Sequence, residues 1–197
     1  VRVSYVPAFC FQKQFTAKTD AILEKLAGYE ADILVVSQLS QLCSGYENVD
    51  YIGTLAKNLG YAYSYWAIGR YTETDYNTET GAGTSGHLVL SRYPITEAET
   101  ITLVEDIPGT SEGRCLAKVT VNIDGLSLDV YAGHFDATAW SAFRTAFMGE
   151  YAPTGEYWMI AANNNKFASS ADAVNTALGV NGTVDAGVND GDYEVFL

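Results

Sequence analysis

Apolar and polar positions along this chain change period repeatedly, and each change predicts an element. Positions 2–6 alternate and are rich in β-formers, and Pro7, with no N–H for a ladder, predicts the end of a strand. Ile22, Leu23, Leu26 and Ala27 then fall on one helical face, with Thr19 or Asp20 able to cap the start and Gly28 closing the end. Positions 32–39 form an almost unbroken apolar run, as expected of a central strand covered on both faces. A second helical stripe, Ile52, Leu55, Ala56 and Leu59, occupies 49–59 and closes at Gly60, and 61–68 alternates aromatic with small residues as a strand.

Positions 70–86 are rich in Thr, Gly, Asp, Asn and Tyr and lack a period, which predicts a long surface loop of the kind that frames a site. A strand resumes at 87–91, Pro94 breaks the chain, and 101–104 reads as a short strand. Two further strands, 115–123 and 126–133, flank Asp124-Gly125, a dipeptide that favours the tight turn of an antiparallel hairpin. Phe143, Ala146 and Phe147 predict a helix over 140–151, followed by a buried strand at 158–162, a short helix at 171–178 ending at Gly179, and a last strand at 193–197. Many strands with helices laid between some of them predict an α+β layered sandwich: two sheets face to face, helices outside.

Composition narrows the partners. With 197 residues, 48% of them hydrophobic, the chain supports one sizeable core, and we read 1–197 as a single domain. Eleven Lys and Arg stand against 24 Asp and Glu, a formal charge of −13, and the cations are scattered singly. Such a field repels polyanions, so duplex nucleic acid is a poor match. The apolar runs fall far short of the roughly 20 residues that cross a bilayer, so a soluble protein is expected, in a secreted, cell-surface or ordinary bacterial setting. The first residue is Val rather than Met, consistent with an excised or processed product. Cys10, Cys43 and Cys115 lack metal-ligand spacing; buried free thiols are the default, with a Cys10–Cys43 bridge as the alternative because each follows a predicted strand at one end of a sheet.

Four segments carry candidate chemistry. Asp32-Ile33-Leu34-Val35-Val36-Ser37-Gln38-Leu39 is an apolar strand interrupted by a polar pair, and Gly86-His87-Leu88-Val89-Leu90-Ser91-Arg92-Tyr93-Pro94-Ile95 is a strand running into a turn. Val130-Tyr131-Ala132-Gly133-His134-Phe135-Asp136 and Ile160-Ala161-Ala162-Asn163-Asn164-Asn165 both end buried strands in polar groups. In this order the segments resemble those of the endonuclease/exonuclease/phosphatase superfamily, the metal-dependent phosphoesterases related to deoxyribonuclease I; Glu112 and Arg114 echo a further Glu-x-Arg pair. The resemblance implies a four-layered α/β sandwich of two mostly antiparallel sheets flanked by helices, with a site where strands give way to loops. It also implies a divalent ion, usually magnesium, held by a strand Glu, a His that contacts phosphate, and an Asp that activates water.

The departures bear on function. The metal-binding Glu of the family corresponds to Gln38 and the Asp of its Gly-Asp-x-Asn motif to Asn163, while the first-strand Asn falls at Val6 or Pro7. His134, Asp136 and Asn165 keep the family's residue types, and His87, in place of a family Asn, reads as structural. The closing Ser-Asp-His motif has no counterpart, so the final C-terminal strand motif is expected to be missing. Removing one carboxylate about 4 Å from a divalent ion forfeits roughly 4 kcal/mol per unit charge at an effective dielectric near 20. We therefore expect catalysis to be impaired or absent, with Gln38 a weak or non-binding metal position and no tightly held cofactor; a divergent hydrolase using magnesium or manganese is the alternative. On the alternative, His134 contacts phosphate while Asn163 and Asn165 position water. The expected partner is a small phosphorylated ligand, or a protein or carbohydrate met by the tyrosines of 70–86.

Against these readings stand simpler ones. A His at a strand end is often an ordinary hydrogen-bonded His, and Asn163-Asn164-Asn165 is by itself a turn-prone run; it is their position after buried strands that gives them weight.

Overall fold

A computed structural model describes residues 1–72, 81–105, 114–135, 137–153, 157–164, 184–185 and 193–196. The apolar run of positions 33–36 becomes the interior of a sheet, as its continuous hydrophobicity requires. Strands β1 (Val3–Pro7), β2 (Ile33–Gln41), β3 (Tyr63–Thr72) and β4 (Gly83–Ser91) form one sheet in the order β1-β2-β4-β3. Strands β5 (Ile95–Val104), β6 (Arg114–Ile123), β7 (Leu126–Phe135), β8 (Tyr157–Asn164), β9 (Val184–Asp185) and β10 (Tyr193–Phe196) form the second, in the order β5-β6-β7-β8-β10-β9. Only the pairs β1–β2 and β7–β8 are parallel among the described ladders.

Each sheet buries both faces. Between the sheets, Ile33, Val35 and Val89 meet Val119, Val121, Val130 and Met159. On the outer face of the first sheet, Leu34, Val36, Leu88 and Leu90 are covered by Leu26 of helix α1 (Thr19–Ala27) and by Tyr51, Leu55 and Leu59 of helix α2 (Tyr51–Leu59). On the outer face of the second, Leu116, Tyr131 and Ile160 meet Phe143 and Phe147 of helix α3 (Ala137–Met148), with the Phe147 ring edge-on to Tyr131 and Trp158 at 5.2 Å. The order helix, sheet, sheet, helix is the four-layered sandwich expected from the sequence.

Local chemistry accounts for the element ends. Asp50 caps α2 by accepting the Gly53 N–H at 3.0 Å, and Gly60 ends it in the left-handed conformation (φ 73°) that glycine takes without strain. The Asp124-Gly125 turn has both residues at positive φ (52° and 95°), the geometry of a tight hairpin turn between β6 and β7. Helix α1 differs from expectation: its cap position is Lys18 without a side-chain cap, because the Thr19 hydroxyl instead donates to the Phe15 carbonyl at 2.7 Å, continuing the short 3-10 turns before it.

Two further readings are corrected, and a third in part. The strand expected at 101–104 is the ten-residue β5; its first half carries exposed Glu97, Ala98 and Glu99 because it lies at a sheet edge, where burial imposes no apolar alternation. The loop expected at 70–86 loses both ends to strands, since β3 reaches Thr72 and β4 begins at Gly83; Thr and Gly are carried there by ladder pairing. The cysteines are free, as the default reading has it, and the alternative bridge does not form; Cys43 and Cys115 are buried as expected, whereas Cys10 departs from that reading in being exposed. The helix expected at 171–178 lies outside the described residues. The last strand, β10, pairs antiparallel with β8. No helix among the described residues is long and apolar enough to cross a membrane.

The inter-sheet contact predicts a sharp contrast between sites. Met159→Ala, deep between the sheets, should cost about 2–5 kcal/mol in urea unfolding, whereas Leu126→Ala on the exposed hairpin should stay within about 0.5 kcal/mol.

Candidate functional site at the strand ends

Followed toward the ends where both parallel pairs finish, the inward-facing positions of both sheets change from apolar to polar. In the first sheet, Ile33 and Val35 give way to Ser37 and Ser40, and Val89 to His87 and Ser85. In the second, Val130 and Ala132 lead to His134, and Met159 and Ala161 to Asn163, with His134 and Asn163 directly opposed in the parallel β7–β8 register. Because the apolar halves pack against each other, the polar ends share one end of the sandwich. Ser40 and Ser85 hydroxyls stand 3.3 Å apart, and Arg70 is paired with Ser85 across β3 and β4.

Gln38 marks an irregularity there. It has φ 54° inside a strand, and the β2–β4 register shifts between Val36 and Leu39, so Ser37 and Gln38 form a bulge. The left-handed conformation costs a non-glycine residue about 1–2 kcal/mol, so the surroundings must hold it. They do so from both sides: the buried Ser37 hydroxyl is hydrogen-bonded to the Tyr5 hydroxyl, and the Gln38 N–H donates to His87 Nδ1 across a long 3.4 Å. The bulge also resets the alternation, so that Leu39 returns to the outer core and Gln41 reaches α2, where its side-chain oxygen accepts the Tyr51 N–H at 2.9 Å.

His87 joins the sheets. Its ring is 4% exposed, accepts from the bulge at Nδ1, and also hydrogen-bonds the backbone of Cys115 on β6. An imidazole that accepts at Nδ1 and remains neutral carries its proton on Nε2, which leaves Nε2 to donate to the Cys115 carbonyl. Burial, then the nearby His134 and Arg114, push the His87 pKa down to about 3, so the ring is neutral at physiological pH. Gly86 beside it has no room for a side chain, because a Cβ would overlap the Ala67 carbonyl of β3. Burial also pushes the Cys43 thiol up, and the Cys115 thiol up to about 12, so both stay protonated and neither serves as a thiolate ligand or nucleophile.

The candidates are therefore brought together unevenly. Gln38, His134 and Asn163 lie at the same end of the sandwich, Asn163 being placed by its backbone register; Asp136, Asn165 and Glu112 lie outside the described residues. Among the described residues no three His, Cys, Asp or Glu side chains converge as a metal cluster. The sequence reading took His87 as structural without giving it a place in the site, and it did not foresee the bulge or the Ser40–Ser85 pair. The only signal for them was the intrusion of Ser, Gln and His into otherwise apolar strands.

The arrangement is similar to that of solved structures. An endonuclease/exonuclease/phosphatase family protein from Leptotrichia buccalis is 14% identical, with 98% of this chain and 86% of that one covered and a TM-score of 0.69. The endonuclease/exonuclease/phosphatase from Bacteroides vulgatus is also 14% identical, over 100% of this chain and 86% of that one, with a TM-score of 0.66. This chain has the endonuclease/exonuclease/phosphatase fold. The human Nocturnin catalytic domain, solved with a bound sulfate anion, matches 92% of this chain and 74% of its own at 14% identity and a TM-score of 0.63. No protein-family model matches the sequence, and no curated protein matches it significantly.

Within this endonuclease/exonuclease/phosphatase fold, His87 gives the strand-end site a signature in acid. The folded ring resists protonation while an unfolded His takes a proton near 6.5, so below that pH the unfolded state binds more protons and stability falls as pH drops toward 3. Replacing His87 with Gln should remove this loss. In urea titrations followed by Trp fluorescence, the variant should gain about 3 kcal/mol relative to the natural chain between pH 7 and pH 4.

Proposed function

We propose that this chain is an endonuclease/exonuclease/phosphatase superfamily domain of phosphoesterase ancestry, with hydrolysis impaired or lost, that binds a small phosphorylated ligand in its strand-end cleft. The observation that carries the reading is Gln38: the residue aligned with the family's metal-binding Glu sits on a held bulge at the polar end of the sandwich and carries a neutral carboxamide in place of a carboxylate. Asn163, aligned with the motif Asp, stands opposite His134 at the end of β8. Magnesium sheds water reluctantly and favours anionic oxygens, and a donor set of two amides and an imidazole does not fit it. Neither amide titrates, so neither takes a proton from water near neutral pH. His134, 8% exposed at the end of β7, is suited to donating a hydrogen bond to a phosphate oxygen, and Arg70 and Arg114 lend positive charge in an otherwise acidic protein.

A second reading, a divergent active hydrolase, draws on the retained His134 in register with Asn163. There His134 would steady the phosphate while Asn163 and Asn165 orient water.

Calorimetric titration with magnesium chloride separates the two. The natural chain should show no saturable binding in the millimolar range, and the double variant Gln38→Glu with Asn163→Asp should bind at least about a thousandfold more tightly, as restoring charge near a divalent ion requires. Micromolar binding by the natural chain, or its rapid manganese-dependent cleavage of bis(p-nitrophenyl) phosphate, would overturn the impaired reading.

A further inference from the structure

Strand β5 is an edge. Among the described strands it pairs with β6 alone, and the register shifts between Ile95 and Glu97 and between Thr102 and Val104 bracket a regular stretch at 97–102. The outer backbone of such a stretch offers alternating N–H and C=O groups to an incoming extended chain. Natural edges are often shortened or covered, and the bulges here blunt only the two ends.

A groove of about 1030 Å³ runs beside this edge, lined by Ile101 and Leu103 on the strand side and by Ala142, Thr145, Ala146 and Gly149 on the helix side. Those helix-side residues recur three and four apart, so one small-residue face of α3 looks onto the strand and leaves room for another chain's side chains. Strand alternation sorts the edge. Thr100 turns toward the other sheet, where its hydroxyl is 2.8 Å from that of Tyr65, while Ile101 and Leu103 pack with the α3 cluster, which puts Glu97 and Glu99 on the groove side.

Three of the charges there are negative, and the cation beside them is engaged: Lys118, opposite Glu99 on β6, donates to the Ala152 carbonyl at 3.3 Å and lies over the Tyr131 ring. Glu97, Glu99 and Glu150 are exposed, and Glu150 and Glu99 together push the Tyr151 phenol above its ordinary pKa, which places both carboxylates around one spot on the groove wall. A second copy of this chain is a poor occupant: antiparallel pairing of two β5 edges centred on Ala98 would set Glu97 of each copy against Glu99 of the other, and every register brings together molecules that each carry −13. Charge complementarity selects a cation.

We propose that the β5 edge and its groove bind an extended cationic peptide as an added strand, with basic side chains against Glu97, Glu99 and Glu150 and apolar side chains over Ile101 and Leu103. This surface is separate from the strand-end cleft and does not depend on the reading given to that cleft.

Two fluorescein-labelled probes, Lys-Thr-Lys-Thr-Val-Thr-Val-Thr and its reverse, test it by anisotropy at low salt, because the first brings lysine to the glutamates only when added parallel to β5 and the second only when added antiparallel, and one added strand takes one direction. One order should bind at least about tenfold more tightly than the other, and Thr145→Trp, which fills the groove, should weaken it about tenfold or more. Glu99→Lys combined with Glu150→Lys should do the same without crowding the groove, while Glu24→Lys on α1 should change affinity less than about twofold. Methylating every second peptide nitrogen should abolish binding in one phase only. Backbone amide shifts should map to 97–103 and 142–151. Absence of binding, equal binding of both methylated phases, or a peptide-free dimer whose shifts map to β5 would each overturn the proposal.

Discussion

The contact between the sheets governs the arrangement of the rest. Ile33, Val35 and Val89 lie against Val119, Val121, Val130 and Met159, all fully buried, and each such side chain contributes about 1.5–3 kcal/mol by leaving water. With those halves locked, the strands have no freedom to place their ends independently. Wherever the inward pattern turns polar, as at Ser40, Ser85, His87 and His134, the polar groups collect at one end. The apolar core stops short of the strand ends there.

The same constraint explains why the bulge at Gln38 persists. A left-handed residue in a central strand is unfavourable taken alone, and it survives because Tyr5, Ser37 and His87 hold it and because Leu39 and Gln41 are then delivered to the outer core and to α2. His87 is held uncharged by that burial and serves as a neutral link between β2, β4 and β6. Within the first sheet's central strand the left-handed residue lies where the inward pattern turns polar, and strain and polar burial together are a feature that functional sites often share.

Charge divides the surface in a second way. The chain carries more than twice as many acidic as basic residues, yet Arg70 and Arg114 lie at the cleft end, while the acidic residues Glu97, Glu99 and Glu150 gather at the β5 edge. The two regions therefore differ in the sign of their local charge.

Much of this was legible from residue order alone. Periodicity gave α1, α2 and α3, the central run of β2 and the hairpin at Asp124-Gly125, because these are set by neighbours three, four or two positions away. It missed the first half of β5, where solvent exposure removed the apolar signal, and it ended β3 too early and began β4 too late, where Thr and Gly are held only by cross-strand pairing. Residue types fixed the chemistry of Gln38 and Asn163 as neutral amides in any fold. Only tertiary structure decided that Gln38 sits on a bulge, that His87 reaches the other sheet, and that Glu99 and Glu150 flank one groove, because each depends on groups tens of residues apart being forced together by burial of the shared core.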